Sequence, residues 1–194
     1  MSRAHFNDLM KQVSQCQICA PHLAQGCRPV LQVNPQATVL IIGQAPGLKV
    51  HKSGIPFDDA SGERLRLWMG IDQYTFYQAE KLAIMPMGLC YPGRGKSGDL
   101  PPRKECAPQW HPTILEHLPN IKLILLIGQY AQQAYLENKP KTLTETVQAW
   151  QQWAPKYIPL PHPSPRNNIW LKKNPWFEHD VLPYLQQRIH KHLR

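Results

Sequence analysis

No apolar stretch of the sequence is long enough to span a bilayer: the longest, Ile121 to Ile127, is interrupted by Lys122 and falls far short of the roughly 20 residues a transmembrane helix needs. No membrane partner is therefore expected. The start, MSRAHFNDLMKQ, lacks the apolar core and small-residue cleavage site of a secretory leader, so the cytoplasm, a reducing compartment, is the expected location. Acidic residues are few, 13 Asp and Glu against 22 Lys and Arg, and the resulting charge of +9 points to a polyanionic partner, nucleic acid first. Internal repeats and low-complexity tracts are absent, and so is a Walker-type glycine loop, which argues against a nucleotide hydrolase or transferase of that kind.

What remains is a globular composition. The chain has 194 residues, 42% of them hydrophobic, which excludes disorder as a description of the whole and fits one domain over residues 1–194, expected as a monomer. Its 20 prolines place much of the chain in structured loops. Four short apolar runs have strand length: Thr38 to Gly43, Lys81 to Met85, Leu123 to Gly128 and Lys156 to Leu160. Between and after them the spacing predicts helices over Ser61 to Met69 (with Ser61 as N-cap), Cys106 to His117, Gln129 to Glu137, Thr144 to Trp153 and Trp176 to His190. Strands alternating with helices give a three-layer α/β/α sandwich around a four-stranded parallel sheet.

Ligands of such sheets bind outside the carboxyl ends of the strands. The loops expected there are Gln44 to Asp59, Pro86 to Lys104 and Pro161 to Asn168, all rich in Gly, Pro and basic residues. Together they predict a basic rim of Lys49, His51, Lys52, Arg94, Lys96, Arg103, Lys104, Arg166, Lys172 and Lys173 around a pocket.

Gly43-Gln-Ala-Pro-Gly47 follows the first strand, Ser53-Gly-Ile-Pro-Phe57 lies further along its loop, and His162-Pro-Ser-Pro165 follows the last strand. These motifs resemble the uracil-DNA glycosylase superfamily, most closely its bacterial and archaeal iron-sulfur branch, and Gly47 and Phe57 stand at the separation that branch has. The resemblance extends through Ser61-Gly-Glu-Arg-Leu65, Cys90-Tyr-Pro-Gly-Arg94 and Ile127-Gly-Gln-Tyr-Ala131, and so covers about residues 16 to 185. It implies a hydrolase that flips a damaged base out of DNA, uracil or another deaminated base, and cleaves its N-glycosidic bond. Phe57 would stack on the flipped base, with Gly43 and Ala45 beside it in the base-binding turn. His162 would stabilise the negative charge on the departing base. Ser164 and Arg166, with Lys172 and Lys173, would contact the DNA backbone.

The sequence departs from that branch at two positions. Gln44 stands where the branch carries a Glu proposed to activate water, and an amide is no general base, although it can position a water. Pro86 stands where the branch has an Asn that reads the uracil edge, so no side-chain amide reads a base there. Two functions follow from these residues: a glycosylase with Gln44 and His162 in the catalytic positions, or a DNA- or nucleobase-binding module of the same fold that does not cleave.

Cys16-x-x-Cys19 is a common metal or cluster pair, and fifteen residues separate Cys90 from Cys106. Both spacings match the iron-sulfur branch. The resemblance thus implies a 4Fe-4S cluster on Cys16, Cys19, Cys90 and Cys106, with structural zinc the less favoured occupant and reduced core thiols the remaining alternative. Cys27 has no counterpart in the pattern and is expected as an ordinary thiol.

Overall fold

A strand buried on both faces needs no polar-apolar alternation, and the four apolar runs all form strands of that kind. In the computed structural model, which describes residues 3–193, they are β1 (Val39–Ile42), β2 (Leu82–Ile84), β3 (Leu123–Ile127) and β4 (Tyr157–Leu160), each buried throughout except at half-buried Tyr157. All pair in parallel, in the order β2-β1-β3-β4.

Successive side chains of a strand point to opposite faces, and two separate cores result. Val39 and Ile41 of β1, with Leu125 and Ile158, face Leu65, Phe76 and Ile189, whereas Leu40, Ile42 and Leu126 face Val13, Trp110 and Ile114. Those partners come from helices on either side of the sheet, in chain order α1 (Arg3–Ser14), α2 (Leu48–Ser53), α3 (Ala60–Met69), α4 (Gln73–Phe76), α5 (Cys106–Glu116), α6 (Gly128–Tyr135), α7 (Leu143–Gln148), α8 (Asn168–Lys173) and α9 (Leu182–Leu193). The expected three layers are thus formed.

Several element ends differ from expectation. The N-cap of α3 is Asp59, not Ser61: its extended backbone lets its carboxylate accept from Gly62 N at 2.9 Å, while Ser61 already lies within the helix. The helix expected over Thr144 to Trp153 stops at Gln148, and a 3₁₀ turn over Trp150–Gln152 brings Trp150 against Tyr184, with ring centres 4.5 Å apart. The closing helix begins as a π-turn over Phe177–Val181, because Pro183 has no N–H to give to the carbonyl four residues back. Helices α1, α2, α4 and α8 were not anticipated.

Parallel strands end on one edge, and the loops after β1, β2 and β4 converge there. Two polar ties fix the strands that carry them. Buried Gln132 donates to Leu126 O (3.2 Å) and Leu160 O (2.9 Å), holding β3 and β4 together at that edge. Thr38 Oγ donates to His192 O at 2.7 Å, anchoring the start of β1 to α9.

Candidate active site

The three loops enclose a cavity of about 440 Å³, and seven of the residues expected from the sequence line it: Gly43, Gln44, Ala45, Phe57, His162, Ser164 and Arg166. Lys172 and Lys173 do not reach its wall; they are exposed at the end of α8, beyond the β4 loop. Of the expected basic rim, Arg103 is withdrawn, because its guanidinium pairs with Glu105 at 2.6 Å.

The turn after β1 is fixed through its carbonyls. Met87 N donates to Gly43 O and Gly88 N to Gln44 O, both at 2.9 Å, while the N–H groups of Gln44 and Ala45 have no backbone acceptor among the described residues. The turn therefore leaves two donors without a backbone partner beside the pocket. Arg28 braces the far end of the loop by donating to His51 O and Lys52 O at the end of α2.

Phe57 takes a left-handed backbone, φ 54°, unusual for an aromatic residue. Gly62 makes this possible: a Cβ there would fall 1.8 Å from Phe57 O, so only glycine leaves room for that carbonyl. The ring then lies against Gly43, its Cζ 3.5 Å from where a Cβ would stand, and meets Phe76 edge-on at 6.1 Å. One face of a flat ligand could be covered by it.

His162 sits in a loop whose prolines cannot donate, so its shape depends on side chains. Asn167 Nδ2 donates to His162 O at 2.7 Å, and Arg64 of α3 donates to Ser164 O at 3.0 Å and to Asn168 Oδ1 at 2.7 Å. Ser164 N–H donates to His162 Nδ1 at 3.2 Å. That bond makes Nδ1 the acceptor and leaves the proton of the neutral ring on Nε2. Protein surrounds most of the ring, and this desolvation holds its pKa below the ordinary value, opposed by the carboxylates of Asp59 and Asp99. The result is a neutral hydrogen-bond donor at the cavity.

The Ser164 hydroxyl, expected on a phosphate, accepts from Arg166 N at 3.2 Å and caps the turn that follows. At Pro86 the backbone carbonyl is also occupied. His111, buried under the β2 loop, points Nε2 at Pro86 O (3.0 Å) and Nδ1 at Tyr135 Oη (2.6 Å). A carbonyl only accepts, so Nε2 carries the proton and Nδ1 accepts from Tyr135, while desolvation keeps this ring neutral. Hence no side-chain amide is offered to a ligand at position 86, and one lone pair of its carbonyl is already taken.

Asp59, Ser61, Asp99 and Asn167 also line the cavity and were missed from the sequence. Asp99 is the one carboxylate in the Gly-rich stretch Gly93 to Leu100, but no motif marks it.

Away from this cavity, Cys16, Cys19, Cys90 and Cys106 line a second, of about 10 Å³, and Cys27 lines it with them. Cys27, expected as an ordinary thiol, is a free thiol that the turn at Gly26 brings beside the other four. All five are free thiols. Burial pushes Cys90 up to about 12 and Cys106 up to about 11, and Leu89 N–H donates to Cys106 Sγ at 3.2 Å. The donor set suits a soft metal. Among the described residues, however, no three Cys, His, Asp or Glu side chains converge as metal ligands, and the space is about that of one water.

No helix among the described residues is long and apolar enough to cross a membrane. A family model described as the Uracil DNA glycosylase superfamily matches residues 31–186. The match contains every residue of the larger cavity except Val30, and it leaves Cys16, Cys19 and Cys27 outside.

Proposed function

The chain belongs to the uracil DNA glycosylase superfamily, and from that premise we propose that it is a DNA glycosylase that flips a deaminated base into the cavity between the β1 and β4 loops and hydrolyses its N-glycosidic bond. The observation that carries the reading is the fixed tautomer of His162, whose Nε2–H is available where Phe57 and the β1 turn would hold a base.

Cleavage leaves negative charge on the base and positive character on the sugar. A neutral donor aimed at a base oxygen strengthens its bond as that charge grows, and it needs no proton of its own to be lost. Phe57 supplies stacking against the flipped ring, which offsets the cost of unstacking it from the duplex. The free N–H groups of Gln44 and Ala45 would meet acceptors on the base edge, consistent with an oxygen-rich deaminated base. Arg166, Lys172 and Lys173, all exposed beside the opening, would hold the phosphates.

The test is incubation with duplex oligonucleotides carrying uracil, hypoxanthine or xanthine, followed by alkali. Strand breaks at one of these bases are the expected result. Binding of all three with no alkali-labile site would instead favour a module that binds without cleaving.

We further propose that Cys16, Cys19, Cys90 and Cys106 hold a 4Fe-4S cluster, with zinc the less favoured occupant, and that the chain falls in the iron-sulfur branch. The reading is supported by the chemistry of the donor set, four thiols from three separate segments that line one cavity although they do not converge on a common point there. When bound, the cluster would act as a cross-link between the N-terminal segment, the β2 loop and α5. Anaerobically purified protein should be brown and contain iron and inorganic sulfide. Cys90→Ser should lower Tm by roughly 6–12 °C, the effect of losing about 3 kcal/mol in a chain of this size. Stoichiometric zinc without iron, or an unchanged Tm, would reject the assignment.

A further inference from the structure

We propose that Asp99 is a catalytic residue of this site: its carboxylate, delivered by the β2 loop, takes the proton from the attacking water. The inference rests on the glycosylase reading. In the step it serves, the water oxygen bonds to the anomeric carbon, the bond from that carbon to the base nitrogen breaks with its electron pair going to the base, and one water proton passes to Asp99. Asp99 then returns the proton to solvent, from which the base anion is protonated.

The other groups lining the cavity are less suited to this. Gln44 is an amide. Both nitrogens of His162 are committed, Nδ1 to Ser164 N–H and Nε2 to its own proton. Asp59 commits one carboxylate oxygen to capping α3, accepting from Gly62 N, which fixes it at the helix start.

Asp99 is exposed, and it is aimed. Its Oδ2 stands 3.5 Å from where a Cβ on Gly47 would lie, so the carboxylate overhangs the β1 turn. Gln44 Nε2 donates to Leu100 O at 3.2 Å, tying residue 44 to the residue after Asp99. The loop is closed on itself by Gly95 N to Gly98 O (2.6 Å) and Leu100 N to Gly93 O (2.9 Å). Gly98, at φ +147°, packs under Arg166, whose Nη1 is 3.0 Å from the place of a Cβ. Buried Tyr91 lies near that carboxylate, and its phenol is held above the ordinary value by burial and by the Asp99 charge. Asp99 is thus held between the base-binding turn and the β4 loop, near enough for its charge to act on His162. The same negative charge would favour the cationic sugar as the bond breaks.

The experiment compares single-turnover base release by wild type, D99N, D99E, D99N/Q44E and H162A, using the oligonucleotide wild type cleaves, with DNA affinity and Tm measured alongside. D99N should be slower by on the order of 10²-fold or more, the scale of a lost general base. Its DNA affinity should be equal or higher, since a negative charge is removed, and its Tm unchanged. D99E and D99N/Q44E should each recover part of the rate. A D99N rate within threefold of wild type, with H162A still slow, overturns the role of Asp99 and leaves the glycosylase reading standing. A D99N loss matched by a fall in Tm or DNA affinity makes the residue structural and also overturns it. No release by wild type from any of the three substrates overturns both.

Discussion

Replacing His162 by alanine is expected to slow base release by on the order of 10²-fold or more, the scale of losing one preorganised donor to a developing anion. DNA affinity should change little, because the phosphate contacts are proposed to lie on Arg166, Lys172 and Lys173. The pH profile separates this mechanism from one that uses a charged imidazole. Burial lowers the folded pKa of His162 beneath the ordinary histidine value of about 6.5. Between the folded and the ordinary value, therefore, the unfolded chain binds more protons than the folded one. His162 consequently costs no stability above about pH 6.5, and it destabilises the fold progressively as pH falls through that window toward its folded pKa. Activity should follow the same sign: level above about pH 6.5, falling on the acid side as protonation of Nδ1 expels the Ser164 N–H. A rate that declined as pH rose through neutrality would show the imidazolium to be the working form. Single-turnover rates from pH 5 to 9 decide between them.

Gly62→Ala is expected to be the most damaging small substitution in the chain. The added methyl would meet Phe57 O at 1.8 Å and the Phe57 carbonyl carbon at 2.7 Å, both backbone atoms that no rotamer change can clear. Overpacking of this kind costs about 3 kcal/mol or more, which is roughly 6–12 °C in Tm for a chain of this length. Either α3 shifts, loosening the bonds of Arg64 to the His162 loop, or Phe57 leaves its left-handed conformation and the stacking face is lost. Base release should therefore fall even at temperatures where the variant is folded. Circular dichroism melting and rate measurements well below Tm check the two effects separately. A variant with wild-type Tm and rate would mean that Phe57 is not held as described.

The strands could be read from the sequence because a fully buried parallel strand is a short, uninterrupted apolar run, and Val39–Ile42 or Leu123–Ile127 has no competing interpretation at that length. Helix α2 was hidden for the opposite reason: six residues between Gly47 and Gly54 carry too little periodicity to stand out from a loop. The N-cap of α3 went to Ser61 because Ser61 is a good capping residue, while the choice of Asp59 depends on the extended backbone two residues after the left-handed Phe57. At the site, Gln44, Phe57 and His162 were legible as motifs. Asp99 was not, since its nearness to Gly47 arises from the folding of two separate loops and leaves no local pattern. Cys27 escaped for the same reason, lying outside any spacing that marks the other four thiols.

The strand order carries a dimensional consequence. β1 and β4 are not neighbours but flank β3, so the loops bearing Gln44 and His162 leave the sheet about two strand spacings apart, roughly 9–10 Å between backbones. That separation is set by main-chain hydrogen bonding that no single side-chain replacement alters. Changes at Gln44, Ala45 or Pro86 can therefore retune which edge is preferred while the calliper stays the same. Variants selected for a new base should accumulate at these lining positions.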